Sequence, residues 1–228
     1  MRKVFFAFVI AGLMAVWATP ASAVVLYSSG TPDYVDAYYS DPTNDTYEAY
    51  GDFTLSSAAT ITGIEWWGFY YSGNTPPATD AFTYDIQSNP GGGGAPSGDI
   101  TSGSLGTGSP TDTGSYLITY LGENYDIYEY SASTSIYLPA GSYFLGIWDT
   151  ASNPGNAFSW ATTGETPSDE YSYSSGTWYA GTIYSGLGPD EGVAFNLTGN
   201  VVPEPATMTL LGLGLAGLGA KIARRRSR

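Results

Sequence analysis

Residues 53–72, from Phe53 to Ser72, read F-T-L-S-S-A-A-T-I-T-G-I-E-W-W-G-F-Y-Y-S. β-Branched and aromatic residues dominate this stretch, and no helical period runs through it. An extended chain turns alternate side chains to opposite faces. Ile64, Trp66 and Tyr70 therefore share one face, and Glu65, Trp67, Phe69 and Tyr71 share the other. Rings on both faces leave two readings open. Either the strand is central in a two-layer stack, or one face is an exposed platform for stacking sugars, with Trp66, Trp67, Tyr70 and Tyr71 as its candidates. Trp and Tyr suit the second role because a ring face packs on apolar C–H surface while polar groups stay at its edge.

Upstream, Val24 to Tyr27 is a short apolar piece fit for a first strand. Thr31 to Asp52 is polar, rich in Asp and Tyr, and reads as loop. Asp41, Asp45, Glu48 and Asp52 crowd there, and calcium wants several carboxylate and carbonyl oxygens on such a loop. An EF-hand loop counted from Asp41 needs Gly at its sixth position, where Thr46 stands, so that motif fails. A solvated acidic loop is the plainer reading, with calcium the possible cofactor and no other cofactor indicated.

Downstream, Ala81 to Gln87 alternates and predicts another strand. Ser88 to Ser115 is dominated by Gly, Ser, Thr and Pro, including Gly91 to Gly94, and reads as a long mobile loop. Strand signals return at Tyr116–Leu121, Tyr125–Ser131, Ser135–Leu138 and Tyr143–Asp149. They continue at Ala157–Thr162, Glu170–Tyr173, Thr177–Ala180 and Gly192–Leu197. Many short strands between Gly, Pro and Asn turns predict an all-β domain over residues 24–201, an antiparallel β-sandwich of jelly-roll-like form.

Charge is distributed unevenly. All seven Lys and Arg lie at the ends, as Arg2, Lys3, Lys221, Arg224, Arg225, Arg226 and Arg228, whereas all but one of the 21 acidic residues lie between residues 24 and 202. No salt bridge is available inside that stretch. Nucleic acid is excluded as a partner, because phosphate contacts need cations. The counter-charges left are divalent metal ions, a cationic polymer, or the ordinary counterions of a soluble acidic protein. The chain has no His and no Cys. Histidine general bases, cysteine nucleophiles and disulfides are therefore unavailable. Carboxylate chemistry of the glycosidase kind remains, with Glu65 beside Trp66 and Trp67 as the natural suspect. No glycosidase motif accompanies it, and the expectation is that the protein is not an enzyme.

The two ends read as addresses. Arg2 and Lys3 precede an apolar run from Val4 to Trp17, and Ala21-Ser22-Ala23 is an A-x-A cleavage site. Residues 1–23 thus form a secretory signal peptide removed by signal peptidase between Ala23 and Val24. At the other end, residues 202–228 run V-P-E-P-A-T, then an apolar segment from Ala206 to Ala220, then K-I-A-R-R-R-S-R. Pro203 and Pro205 keep their neighbours extended. As a helix the apolar segment is about 22 Å long, against roughly 30 Å of bilayer hydrocarbon. The basic tail stays cytoplasmic by the positive-inside rule, which puts the folded part outside.

This end resembles the PEP-CTERM sorting signal of Gram-negative bacteria. Pro203, Glu204 and Pro205 match its P-E-P, a hydrophobic sorting helix follows, and Arg224, Arg225 and Arg226 match its arginine cluster. The resemblance implies transient inner-membrane anchoring, removal of the tail by an exosortase, and delivery to the cell surface or an exopolysaccharide matrix. Two roles on arrival stand open. One is structural or interactive, in a biofilm or aggregate. The other is a carbohydrate-binding module, with or without calcium, gripping extracellular polysaccharide with exposed rings.

Overall fold

A computed structural model describes residues 23–43, 47–71, 75–77, 80–118, 124–151, 156–164, 170–180, 192–202, 212 and 214–215. The signal peptide through Ser22, Asp45, the P-E-P tripeptide and the arginine cluster lie outside these residues. So does the C-terminal apolar segment, except for Gly212, Gly214 and Leu215. Among the described residues no helix is long and apolar enough to cross a membrane.

Among the described residues fourteen strands form in chain order: β1 Val24–Ser28, β2 Ala37–Tyr39, β3 Glu48–Leu55, β4 Ala59–Tyr70, β5 Phe82–Ser88, β6 Ser97–Gly106, β7 Thr111–Ile118, β8 Asn124–Leu138, β9 Gly141–Asp149, β10 Phe158–Thr163, β11 Tyr171–Ser174, β12 Thr177–Ala180, β13 Gly192–Val193 and β14 Phe195–Val201. They make two antiparallel sheets. In the first, β4 is central. β8 lies along one edge of it and carries β7; β14 and then β10 share the other edge, with β1 on β14 and with β2 and β13 on β10. The second sheet runs β12-β11-β3-β9-β5-β6. The architecture is the expected all-β, two-layer sandwich.

The opening stretch splits between the layers. β3 belongs to the second sheet and β4 to the first, so Ser56 to Ala58 carry the chain across. The face assignment along β4 holds. Ile64, Trp66 and Tyr70 enter the main core between the sheets, with Phe53, Phe82, Tyr130, Leu145, Phe158, Trp160 and Phe195. Trp67 and Phe69 join a second cluster with Leu117, Tyr125, Ile127, Ala161 and Ala194. Register shifts on both sides of β4 between Ile61 and Gly63. That irregularity lets Ile61 and Ile64, three positions apart, both sit fully buried in the same core.

Two loop expectations fail. Thr31–Asp52 contains β2 and most of β3, because Ala49, Gly51 and Phe53 alternate into the core against the polar residues Glu48 and Asp52. Ser88–Ser115 contains β6 and most of β7. β6 is almost wholly exposed, so its order comes from backbone pairing with β5 rather than from burial, and a composition-based reading misses it. The glycine run itself is a fixed turn. Gly91, Gly92 and Gly93 take φ of 76°, 68° and 73°, a left-handed series open to glycine. Asn89 Oδ1 accepts the Gly91 N–H, and Tyr171 donates its hydroxyl to the Gly93 carbonyl at 2.6 Å.

The missing cations leave a mark on the buried acids. Asp149 is fully buried and satisfied: it accepts the Tyr70 hydroxyl at 2.9 Å and the N–H groups of Ala81 and Ala151. Neighbouring Asp80 is also buried, yet neither carboxyl oxygen has a hydrogen-bond partner among the described residues. Burial, opposed by the nearby Tyr70 hydroxyl and reinforced by the Asp149 charge, pushes the Asp80 carboxyl from 3.8 up to about 7. Folded Asp80 therefore keeps its proton to about pH 7, while the unfolded chain gives it up near 3.8. Between those values the native state binds more protons. The contribution to stability is full below about pH 4 and is lost as pH rises to about 7, at about 1.4 kcal/mol per unit for one proton. Asp80→Asn is expected to remove that slope and to stabilise the protein at pH 8, as read from urea midpoints between pH 4 and 8. An unchanged slope in the variant would refute the assignment.

Candidate functional site

The rings singled out as a platform are mostly spent on packing. Trp66, Trp67 and Tyr70 are buried, and of the four only Tyr71 is exposed, at 41%. Tyr71 stacks on Tyr125 and leans on Tyr39. Trp66, Trp67 and Tyr70 thus offer no open stacking surface, because both faces of β4 are covered by aromatic partners. Glu65 accepts the Asn196 amide at 2.6 Å on the first sheet. It borders an open hollow of about 650 Å³ lined mostly by Ser, Thr and Gly, with Ile64, Leu105 and Ala132 and no aromatic ring.

The calcium candidates are dispersed as well. Asp41 is fully buried, and its two oxygens accept the N–H groups of Thr43 and Phe158. Glu48 and Asp52 stand on the outward side of β3, opposite Ala49 and Phe53, which enter the core. Asp45 lies outside the described residues. Among the described residues no group of three or more acidic, His or Cys side chains converges to hold a metal ion.

The feature that residue-by-residue reading missed lies on the outer face of the second sheet. A cleft of about 490 Å³ crosses all six strands. β12 supplies Trp178, β11 Tyr173, β3 Glu48 and Tyr50, β9 Trp148, β5 Asp85 and Gln87, and β6 Asp99. Each points outward because its strand alternates; on β9, for example, Tyr143, Leu145 and Ile147 take the core, which leaves Trp148 outside. The hairpin of β11 and β12 closes through Ser175 and Gly176, both at positive φ, the geometry of a tight two-residue turn. That turn sets Tyr173 opposite Trp178, with ring centroids 4.8 Å apart. Pro96, at the end of the glycine turn, forms part of the wall.

Tyr50 is the floor. Its ring meets Trp178 edge-on at 4.9 Å and Trp148 at 6.1 Å. It crosses strand β9 at Gly146, where a Cβ would come within 2.5 Å of the ring. The absent side chain lets the phenol reach the neighbouring strand. Its oxygen lies 3.1 Å from Asp85 Oδ2 and 3.2 Å from Glu48 Oε2. Gln87 donates its amide to the same Asp85 oxygen at 2.7 Å. One phenolic hydrogen serves two carboxylates, so with both ionised one contact sets oxygen against oxygen. Burial pushes the Glu48 carboxyl above its usual range; the Tyr50 hydroxyl opposes this and the Asp85 charge adds to it. Burial likewise raises Asp85, opposed by Gln87 and Tyr50 and reinforced by Asp99. No Lys or Arg exists between residues 4 and 220 to relieve them.

Fold and site together define an acidic two-sheet β protein with a ring-lined cleft on one outer face. Its destination is set by the segment that follows. Residues 201–226 match the PEP-CTERM protein-sorting motif. The match starts at Val201, the last residue of β14, and the Val202 N–H still bonds to the Ala58 carbonyl at 2.7 Å. Pro203 follows without an N–H, so the ladder cannot continue through it. The motif marks the chain as an exported protein processed by an exosortase and targeted to the cell surface. No curated protein matches the chain.

Proposed function

We propose that this exported protein acts in the extracellular matrix of a Gram-negative cell, where it helps cohere a biofilm by holding polysaccharide in the cleft of the second sheet. The observation that carries this reading is the set of half-buried rings, Trp148, Tyr173 and Trp178, around hydrogen-bonding groups of Glu48, Asp85 and Gln87. Ring faces pack on the C–H surface of a pyranose, and the carboxylates and amide take its hydroxyls. The cleft volume falls within the range of small-ligand sites. Signal peptidase cuts after Ala23, and the C-terminal segment holds the chain in the inner membrane until the exosortase releases it. The protein binds and does not turn over its ligand, and it uses no metal.

Calorimetric titration with the producing cell's own polysaccharide tests this. Trp148→Ala and Trp178→Ala are each expected to weaken binding by roughly tenfold or more, about 1.4 kcal/mol. Flat heats from the unaltered protein would overturn the reading, as would full affinity in both variants.

A further inference from the structure

Resting on the saccharide reading, we infer that the cleft selects sugars bearing a free, protonated amine, as in a polymer of de-N-acetylated hexosamines. Four observations converge on one ligand chemistry. Glu48 and Asp85 lie 3.2 and 3.1 Å from the one Tyr50 phenol oxygen, whose single hydrogen cannot serve both, and want a further donor between them. Asp99 stands on the cleft lining and adds a third carboxylate. The chain supplies no Lys or Arg of its own to any of them. Trp178 and Trp148 lie beside the pair on Tyr50, and an ammonium between carboxylates and ring faces gains from both.

A neutral hexose leaves the excess charge uncompensated; a hexosammonium ion supplies N–H donors to Glu48 and Asp85 while its ring lies on the indoles. Selectivity follows from the difference. The amine neutralises the buried Asp85 and half-buried Glu48 carboxylates, and an acetamido group at the same carbon presents a single N–H and no charge. The groups facing the ligand are Glu48 and Tyr50 from β3, Asp85 from β5, Asp99 from β6 and Tyr173 from β11, and none is basic. Affinity for the amine therefore falls as pH drops and the two raised carboxyls take up protons, whereas affinity for a neutral sugar falls less, because its hydroxyls also bond a protonated carboxyl.

The experiment compares a β-1,4-linked glucosamine tetramer with its fully N-acetylated counterpart. Both are titrated into the full-length protein in detergent with chelator present, alongside Asp85→Asn, Glu48→Gln, Trp178→Ala and a remote control, Asp126→Asn on β8. The amine tetramer is expected to bind roughly tenfold tighter or better. That preference should shrink to about twofold in Asp85→Asn and Glu48→Gln, because the amine tetramer loses much more affinity than the acetylated one, which loses only a hydroxyl contact. Trp178→Ala should weaken both ligands, and Asp126→Asn should change neither. Equal affinity of the two tetramers for the unaltered protein would overturn the amine selectivity and leave the saccharide reading standing. So would an equal loss of preference in Asp126→Asn, the signature of diffuse attraction to an acidic surface. Binding of neither tetramer, together with flat heats from the native polysaccharide, would remove both.

Discussion

Trp66→Ala is expected to cost about 3–5 kcal/mol of stability, a large share of the roughly 5–15 kcal/mol that holds a typical domain. Trp66 is fully buried. Its ring stacks on Tyr130 at 5.5 Å and meets Phe82 edge-on at 5.1 Å. Phe82, Tyr130 and Phe158 then meet one another edge to face, so the indole closes a four-ring cluster that joins the two sheets. Gly108, at φ 67°, lies over the indole, and a Cβ there would come within 2.7 Å of it. Truncation leaves a cavity that neighbours on paired strands cannot collapse to fill. With no Cys anywhere and no Lys or Arg in the domain, neither a disulfide nor a salt bridge compensates. Urea unfolding should show a lower midpoint at an unchanged slope. Trp66→Phe should cost much less, because it keeps a ring and discards an indole N–H that has no acceptor among the described residues. A loss below about 1 kcal/mol in Trp66→Ala would show that the cluster does not join the sheets.

The other large effect concerns processing. Replacing Pro203, Glu204 and Pro205 together by alanine is expected to slow tail removal by roughly a hundredfold or more. Proline restricts its own φ and its neighbour's, and the glutamate between the two prolines is the one charged group of that tripeptide that a cutting enzyme can read. A site built to pair a carboxylate is left with an unpaired group when the substrate lacks it. Fold stability should be untouched, since among the described residues the last bond into the sandwich is made by Val202. Mass spectrometry of the protein recovered from cells is the measurement. An unaltered chain should end within or near the P-E-P region, and the variant should keep Arg224, Arg225 and Arg226. If the unaltered protein also kept its arginines with the exosortase active, the processing role of the motif would be refuted.

The buried carboxyls connect composition to behaviour. Each acid with a resolved shift, Asp36, Glu48, Asp80, Asp85 and Glu129, is moved upward with burial as the first cause. The same scarcity of cations that makes Asp80 a liability at neutral pH is what leaves Glu48 and Asp85 ready for an external one.

Period and composition alone determined that the domain is all-β, though not the strands inside Thr31–Asp52 and Ser88–Ser115, that Ile64, Trp66 and Tyr70 lie opposite Trp67 and Phe69, and that the chain is addressed for export. Those properties are local: alternation is built into an extended backbone, and a sorting signal is read as a linear peptide. Tertiary structure decided what stays open. Rings on both faces of β4 were compatible with a platform until partners from β8, β10 and β5 covered Trp66, Trp67 and Tyr70. An irregularity at Gly63 put Ile61 and Ile64 on one side, against simple alternation. The cleft draws on residues from Glu48 to Trp178 across six strands, and only the order of those strands brings Tyr50 over Gly146 to Asp85. Strand order rests on long-range pairing, which no local pattern encodes.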